Sequence, residues 1–274
     1  AAHPDISHPP LYPLALGVLF KVLPDRWVYG VESGPRRRPP AEVAVGCLNF
    51  IGFCGLAFVL FQVGRRWFEL SIGVMAVVVF LGSKINWDFA FSGLPTVWLG
   101  LLCVAVSVVA LRIGGAADPD EDGRPRVVTF RYALWSALLG GLIGLGFLIS
   151  YSFGFLVLPI AICVGWWAPV EARLRTVGCL LLAFLLLTAP WMTRNYIRSG
   201  LPLGIATLAP LSGTAGFVED RLERSQNPEL SRVRLAEVLA KVLSNSQSIL
   251  ANDVPRMFGN WFGAFLLVGL LLPM

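Results

Sequence analysis

Residues 132–170 read YALWSALLGGLIGLGFLISYSFGFLVLPIAICVGWWAPV, 39 positions without a charged side chain. About 20 apolar residues cross the ~30 Å hydrocarbon layer of a bilayer as a helix. The stretch is therefore too long for one span and about right for two. Its centre, Ser150-Tyr151-Ser152-Phe153-Gly154, gathers small and turn-prone residues, so the reading is a helical hairpin folded there. Both halves are apolar all round rather than on one face, as expected of helices surrounded by lipid and by one another.

Working outward, the same pattern recurs. Val43–Gly64 and Phe89–Leu111 are charge-free, Leu70–Ser83 extends back through Trp67 and Phe68, and Thr176–Thr193 makes another span. That is six crossings between residues 43 and 193, with Met257–Met274 beginning a further one. Composition agrees: 56% of the 274 residues are hydrophobic and 14% charged, against about 25% charged in soluble domains. A soluble enzyme, a disordered regulator and a coiled coil are excluded on that ground. The 28 Gly and 19 Pro are punctuation that transmembrane helices tolerate. The net charge of +5 has no water-exposed face on which to bind nucleic acid, so the lipid headgroup layer is the expected partner of the Lys and Arg residues. The expected fold is all-α, a polytopic transmembrane helix bundle.

Leu11–Leu23 differs. It is short, flanked by Pro9, Pro10, Pro13 and Pro24, and carries Lys21, which predicts an interfacial or re-entrant helix. With six crossings, Gly64-Arg65-Arg66-Trp67, Arg112–Arg131 and Glu171–Arg175 share one side, taken as cytoplasmic from their Arg content. The other side holds residues 1–42, a Lys84–Asp88 turn and the segment Arg194–Arg256, with Arg36-Arg37-Arg38 running against the rule. Within that segment Asn227-Pro228-Glu229 has the chemistry of a helix start. Leu235, Val238, Leu239, Val242 and Leu243 then recur at helical spacing, which predicts an amphipathic helix on the membrane or on the bundle.

Few residues are left to carry chemistry. Cys47, Cys54, Cys103, Cys163 and Cys179 all lie in apolar spans with no metal-ligand spacing and read as buried packing residues. Asp118-Pro119-Asp120 has the Asp-x-Asp form of a metal-holding pair but sits in a hydrophilic connector and reads as a solvated loop. Ser212-Gly213-Thr214-Ala215-Gly216 lacks the Lys and the strand–helix frame of a phosphate loop. The two histidines, His3 and His8, precede the first apolar stretch. Asp88, between Trp87 and Phe89 at the mouth of a span, is either a boundary marker or a functional carboxylate. Arg194 and Arg198 follow Pro190-Trp191, where a helix is expected to leave the membrane. They read either as snorkelling anchors or as ligands for a lipid phosphate, whose oxygens suit the planar guanidinium fork.

Ala189-Pro190-Trp191-Met192-Thr193-Arg194-Asn195-Tyr196-Ile197-Arg198-Ser199-Gly200-Leu201-Pro202 resembles the Pro-Trp-x-x-Arg-Asn-Tyr-x-x-x-Gly-x-Pro signature of integral-membrane type C glycosyltransferases. The matching branch groups dolichyl-phosphate-mannose protein mannosyltransferases with bacterial aminoarabinose and lipopolysaccharide sugar transferases. His8-Pro9-Pro10-Leu11-Tyr12-Pro13 is similar to the end of that family's first outer loop, Gly64–Phe68 to its cytoplasmic turn, and Leu142–Pro159 to its Gly-rich hairpin.

The resemblance implies transfer of a hexose or pentose from a polyprenyl-phosphate donor to an acceptor hydroxyl, on a glycolipid or a protein, at the extracytoplasmic face of an inner or plasma membrane. It implies Asp88 as an acidic member of the site, with Arg194, Arg198, His8 and Lys84 facing the donor phosphate. No cofactor is read from the sequence, a divalent metal is compatible with it, and nucleic acid is excluded as a partner by the composition above. The family's catalytic Asp, usually in an Asp-Glu pair, lies upstream of the His-Pro-Pro stretch. Only seven residues precede His8 here, and Asp5 lies too close to match. The expectation is therefore a piece of a longer cell-envelope transferase, inactive standing alone. The competing expectations are a membrane transporter, disfavoured by spans without mid-helix charge, and a non-catalytic or degenerate paralogue.

Overall fold

The computed structural model describes residues 8–24, 40–115, 129–204, 206–207 and 234–253. Among them it holds nine α-helices and no strand: α1 (Leu11–Val22), α2 (Pro40–Trp67), α3 (Leu70–Gly82), α4 (Lys84–Phe91), α5 (Thr96–Gly115), α6 (Thr129–Ile149), α7 (Val157–Trp167), α8 (Arg173–Ser199) and α9 (Leu235–Ser248). A 3₁₀ turn, Tyr151–Leu156, joins α6 to α7. Four of the helices, α2, α5, α6 and α8, are long and apolar enough to cross a membrane, and the bent pair α3–α4 passes the same test when taken together, as a broken span or a re-entrant loop. The outward faces are hydrocarbon: Ile51, Phe58, Ile162, Trp166, Leu174 and Leu186 are all exposed. Such a surface in water would be an aggregation site, whereas lipid meets it at no cost.

Among the described residues two cores hold the bundle. Phe53, Ala90 and Val97 form one, where α4 and α5 meet α2. The larger joins α5 to α6, α7 and α8 through Val106, Ile113, Leu139, Ile143, Phe153, Val164 and Leu180. In lipid, helices associate by close packing rather than by escaping water, so small residues mark the seams. A Cβ on Gly140 would run into the Leu180 carbonyl of α8, and one on Gly144 would lie 3.2 Å from Leu187 Cβ. Likewise a Cβ on Gly64 would lie 2.7 Å from the Gly73 Cα, which is how closely α2 and α3 approach at their hairpin. Between them Glu69 is extended (φ −137°, ψ 166°), so α2 ends at Trp67, α3 starts at Leu70, and α3 does not extend back through Trp67 and Phe68.

Several other expectations are corrected. The Lys84–Asp88 turn is helical, part of α4, set at 66° to α3. The break at Ser83 frees carbonyls at the end of α3, and side chains from α4 take them: Asn86 Nδ2 donates to Phe80 O at 2.8 Å and Trp87 Nε1 to Leu81 O at 2.6 Å. The run Phe89–Leu111 is therefore two elements, since the chain turns at Gly93 (φ +74°) and Pro95 before α5 begins at Thr96. The hairpin turn in residues 132–170 does fall at Ser150, but it continues as the 3₁₀ turn, and α7 is only 11 residues long. Together they still run from one end of the bundle to the other, because Tyr151 meets Trp191 while Trp167 packs beside Gly114.

The cysteines are not buried either. Cys47, Cys54 and Cys103 are exposed and Cys163 and Cys179 half-buried, because a weakly polar thiol is as much at home against lipid as inside. The amphipathic helix begins at Leu235 in the described residues, with Leu235, Leu239, Val242 and Leu243 exposed. Its predicted start at Asn227 lies outside them, as do His3, Asp5, Arg36–Arg38, Asp118–Asp120, Ser212–Gly216 and Met257–Met274.

Candidate functional site

The last two turns of α8 build the most organised polar group. A 27-residue helix is about 40 Å long, roughly 10 Å more than the hydrocarbon layer. Arg194 and Arg198 therefore ride on a helix that continues past Pro190 to Ser199. Gly200, at φ +71°, caps it in the left-handed conformation, its N–H donating to Tyr196 O at 2.8 Å.

Four side chains interlock there. Trp191 Nε1 donates to the Tyr151 hydroxyl oxygen at 2.9 Å, and Asn195 Nδ2 donates to the same oxygen at 3.2 Å. Arg194 Nη1 donates to Asn195 Oδ1 at 3.0 Å, and its guanidinium carbon stands 4.3 Å from the centroid of the Trp191 ring. Asn195 is fully buried, Tyr151, Trp191 and Arg194 are half-buried, and Arg198 is exposed one turn on. The Phe147 ring meets Tyr151 edge-on at 5.2 Å between centroids. The helix thus fixes an arginine between an aromatic face and an amide, and the partner that closes the group comes from the 3₁₀ turn.

A second polar group fastens the neighbouring helices at the same end. Tyr12 in the first turn of α1 donates to Gly93 O at 2.6 Å. Buried Asn49 of α2 donates to Leu94 O at 3.1 Å and accepts from Trp98 Nε1 at 3.0 Å. Burial raises the Tyr12 phenol above its ordinary pKa, only partly offset by Asn49, which keeps it a donor. His8 stands exposed just before this anchor. Between α1, α2, α5 and α6 lies an open apolar groove of about 390 Å³, lined among others by Leu11, Val59, Trp98, Leu102, Leu145 and Ile149. A larger concavity of about 690 Å³ lies along Glu69–Val78 on the outward face of α3, starting at the opposite end of the bundle.

Asp88 and Lys84 sit on α4, both exposed. Trp87, beside Asp88, packs on Phe53 at 4.8 Å between ring centroids and so steadies the helix that carries the carboxylate. α4 packs on α2, α3 and α5, whereas α8 packs on α6 and α7. Among the described residues no hydrogen bond or ion pair joins Asp88 or Lys84 to Arg194 or Arg198. The structure thus assembles Arg194 with Trp191, Asn195 and Tyr151, and Asp88, Lys84 and Arg198 are not part of that group among the described residues. The charges described at the opposite end include Arg65, Arg66, Glu69, Arg112, Glu171, Arg173 and Arg175, with Arg112 5.1 Å from the Trp135 ring centroid. Among the described residues no group of three or more His, Cys, Asp or Glu side chains could hold a metal.

Sequence reasoning passed over Tyr151 and Asn49. Each carried a signal: a hydroxyl or amide inside an otherwise apolar run must find a partner there, so its presence marks a tertiary bond. Comparison with family models, with curated proteins and with solved structures finds no match.

Proposed function

We propose that the chain serves the transfer of a sugar from a polyprenyl-phosphate donor to an acceptor hydroxyl at the membrane surface. One observation carries the reading: Arg194 is held half-buried at the end of a membrane helix, between the Trp191 ring and the Asn195 amide. A guanidinium so restrained presents its planar fork with little rotamer freedom left to lose. Lipid phosphate, whose oxygens suit the planar guanidinium fork, is an anion met at that depth. In the reaction, the acceptor oxygen bonds to the anomeric carbon and the bond from that carbon to the phosphate oxygen breaks. The electron pair leaves with the polyprenyl phosphate, whose charge a cation stabilises, and the acceptor proton passes to a carboxylate base. The apolar groove beside α1 suits an isoprenoid chain, and Asp88, like Glu42 at the start of α2, is a described carboxylate at this end able to face the sugar or the acceptor.

The test is transfer of labelled sugar from its polyprenyl phosphate in membranes carrying the chain in its native coding context. Asp88→Asn should abolish or strongly reduce transfer while membrane expression holds; near-wild-type transfer removes Asp88 from the site.

A further inference from the structure

The hydrogen bonds around Tyr151 have a forced direction. A guanidinium and an indole N–H can only donate. Arg194 therefore turns the Asn195 carbonyl oxygen towards itself, and the Asn195 amide nitrogen must face Tyr151. Trp191 donates to the same phenol oxygen. Both lone pairs of that oxygen are then occupied, so the Tyr151 hydrogen points away from α8. Among the described residues nothing accepts it. A half-buried hydroxyl whose acceptor capacity is filled still has its proton to give to a partner beyond the described residues.

We propose that Tyr151 is a phosphate ligand, its O–H donating to an oxyanion of the same lipid phosphate that Arg194 faces. The Asn195 amide sets the spacing of the two donors, with Arg194 bonded to one end and Tyr151 to the other. A phosphate, with oxygens on every side and a full negative charge, can accept from both. Arg194 supplies the charge and Tyr151 a directed neutral bond that distinguishes a phosphate seated at the 3₁₀ turn from an anion merely near the arginine. This inference rests on the donor-phosphate reading of the site and adds a second contact to it.

The experiment titrates the purified 274-residue chain in phosphatidylcholine nanodiscs with farnesyl phosphate, farnesol and inorganic phosphate. Farnesyl phosphate should bind at least about tenfold more tightly than either of the others, as expected when a hydrogen bond to a charged group is added to apolar contact. Tyr151→Phe should lose roughly tenfold for farnesyl phosphate and nothing for farnesol. Since Phe also leaves Trp191 and Asn195 without their acceptor, the second variant replaces Tyr151 by 3-fluorotyrosine, which keeps the ring in place. Fluorination makes the phenol a better donor and a poorer acceptor, so binding should tighten. Wild-type affinity in Tyr151→Phe, or weaker binding with fluorotyrosine, would overturn the proposal, the latter marking Tyr151 as an acceptor that only holds α8. If inorganic phosphate binds as tightly as farnesyl phosphate, the lipid source is wrong. If the wild-type chain binds farnesol as well as farnesyl phosphate, the donor-phosphate reading itself fails.

Discussion

An arginine at the end of a membrane helix can be an anchor that reaches for headgroups or a ligand held in one place. Geometry separates the two. Arg198 is exposed and has the form of an anchor, whereas Arg194 is stacked on Trp191 and bonded to Asn195. Arg194→Ala should therefore weaken farnesyl phosphate binding roughly ten- to hundredfold, the range for losing bonds to a charged group. Arg194→Lys should recover little of it, because an ammonium has neither the planar face nor the fork. Arg198→Ala should change binding less than threefold at moderate salt, where exposed charges are screened. Equal effects of the two alanine variants in the same titration would remove the distinction.

Among the helices, the α6–α8 seam decides whether the site exists. Tyr151 follows α6 directly and its partners lie on α8, so the bonds form only if the two helices meet at the right height. Gly140 sets that meeting, since the atom a Cβ would strike is backbone and cannot swing aside. Gly140→Ala should destabilise the bundle by about 1–3 kcal/mol, the usual cost of overpacking, seen as a lower midpoint in a denaturing-detergent titration. Gly178→Ala on α8 has nothing within 4 Å of the added carbon and should leave the midpoint unchanged or raise it, because alanine favours the helix. A Gly140→Ala protein as stable as the Gly178→Ala control would mean that the seam is looser than described.

At the scale of the whole molecule, the two ends differ in kind. One gathers Arg65, Arg66, Arg112, Arg173 and Arg175; the other carries Arg194, Arg198, Lys84, Asp88 and the α1 anchor. In a chain freed of its five cysteines, Arg66→Cys and Arg198→Cys should react with an impermeant maleimide from opposite sides of a sealed vesicle. Labelling of both from one side would contradict the arrangement of crossings. Much of this arrangement was legible in the sequence, because charge-free length measures a span regardless of what surrounds it. The runs at 43–64, 132–149 and 176–193 locate α2, α6 and α8, the middle of 132–170 locates the turn, and the Arg clusters fall together at one end. What length could not tell was where a run is divided by contacts, as at Ser83 and Gly93, or which face of a helix a cysteine takes. By itself, then, the sequence determined the all-α bundle and the motif on α8, since both follow from local hydropathy and residue order. Only the tertiary structure decided that Arg194 is held rather than loose and that Tyr151 belongs beside it. The bonds to Tyr151 join residues 40 and 44 positions apart and fix Trp191 and Asn195, the neighbours that hold Arg194; no local pattern encodes which distant partner a buried donor will find.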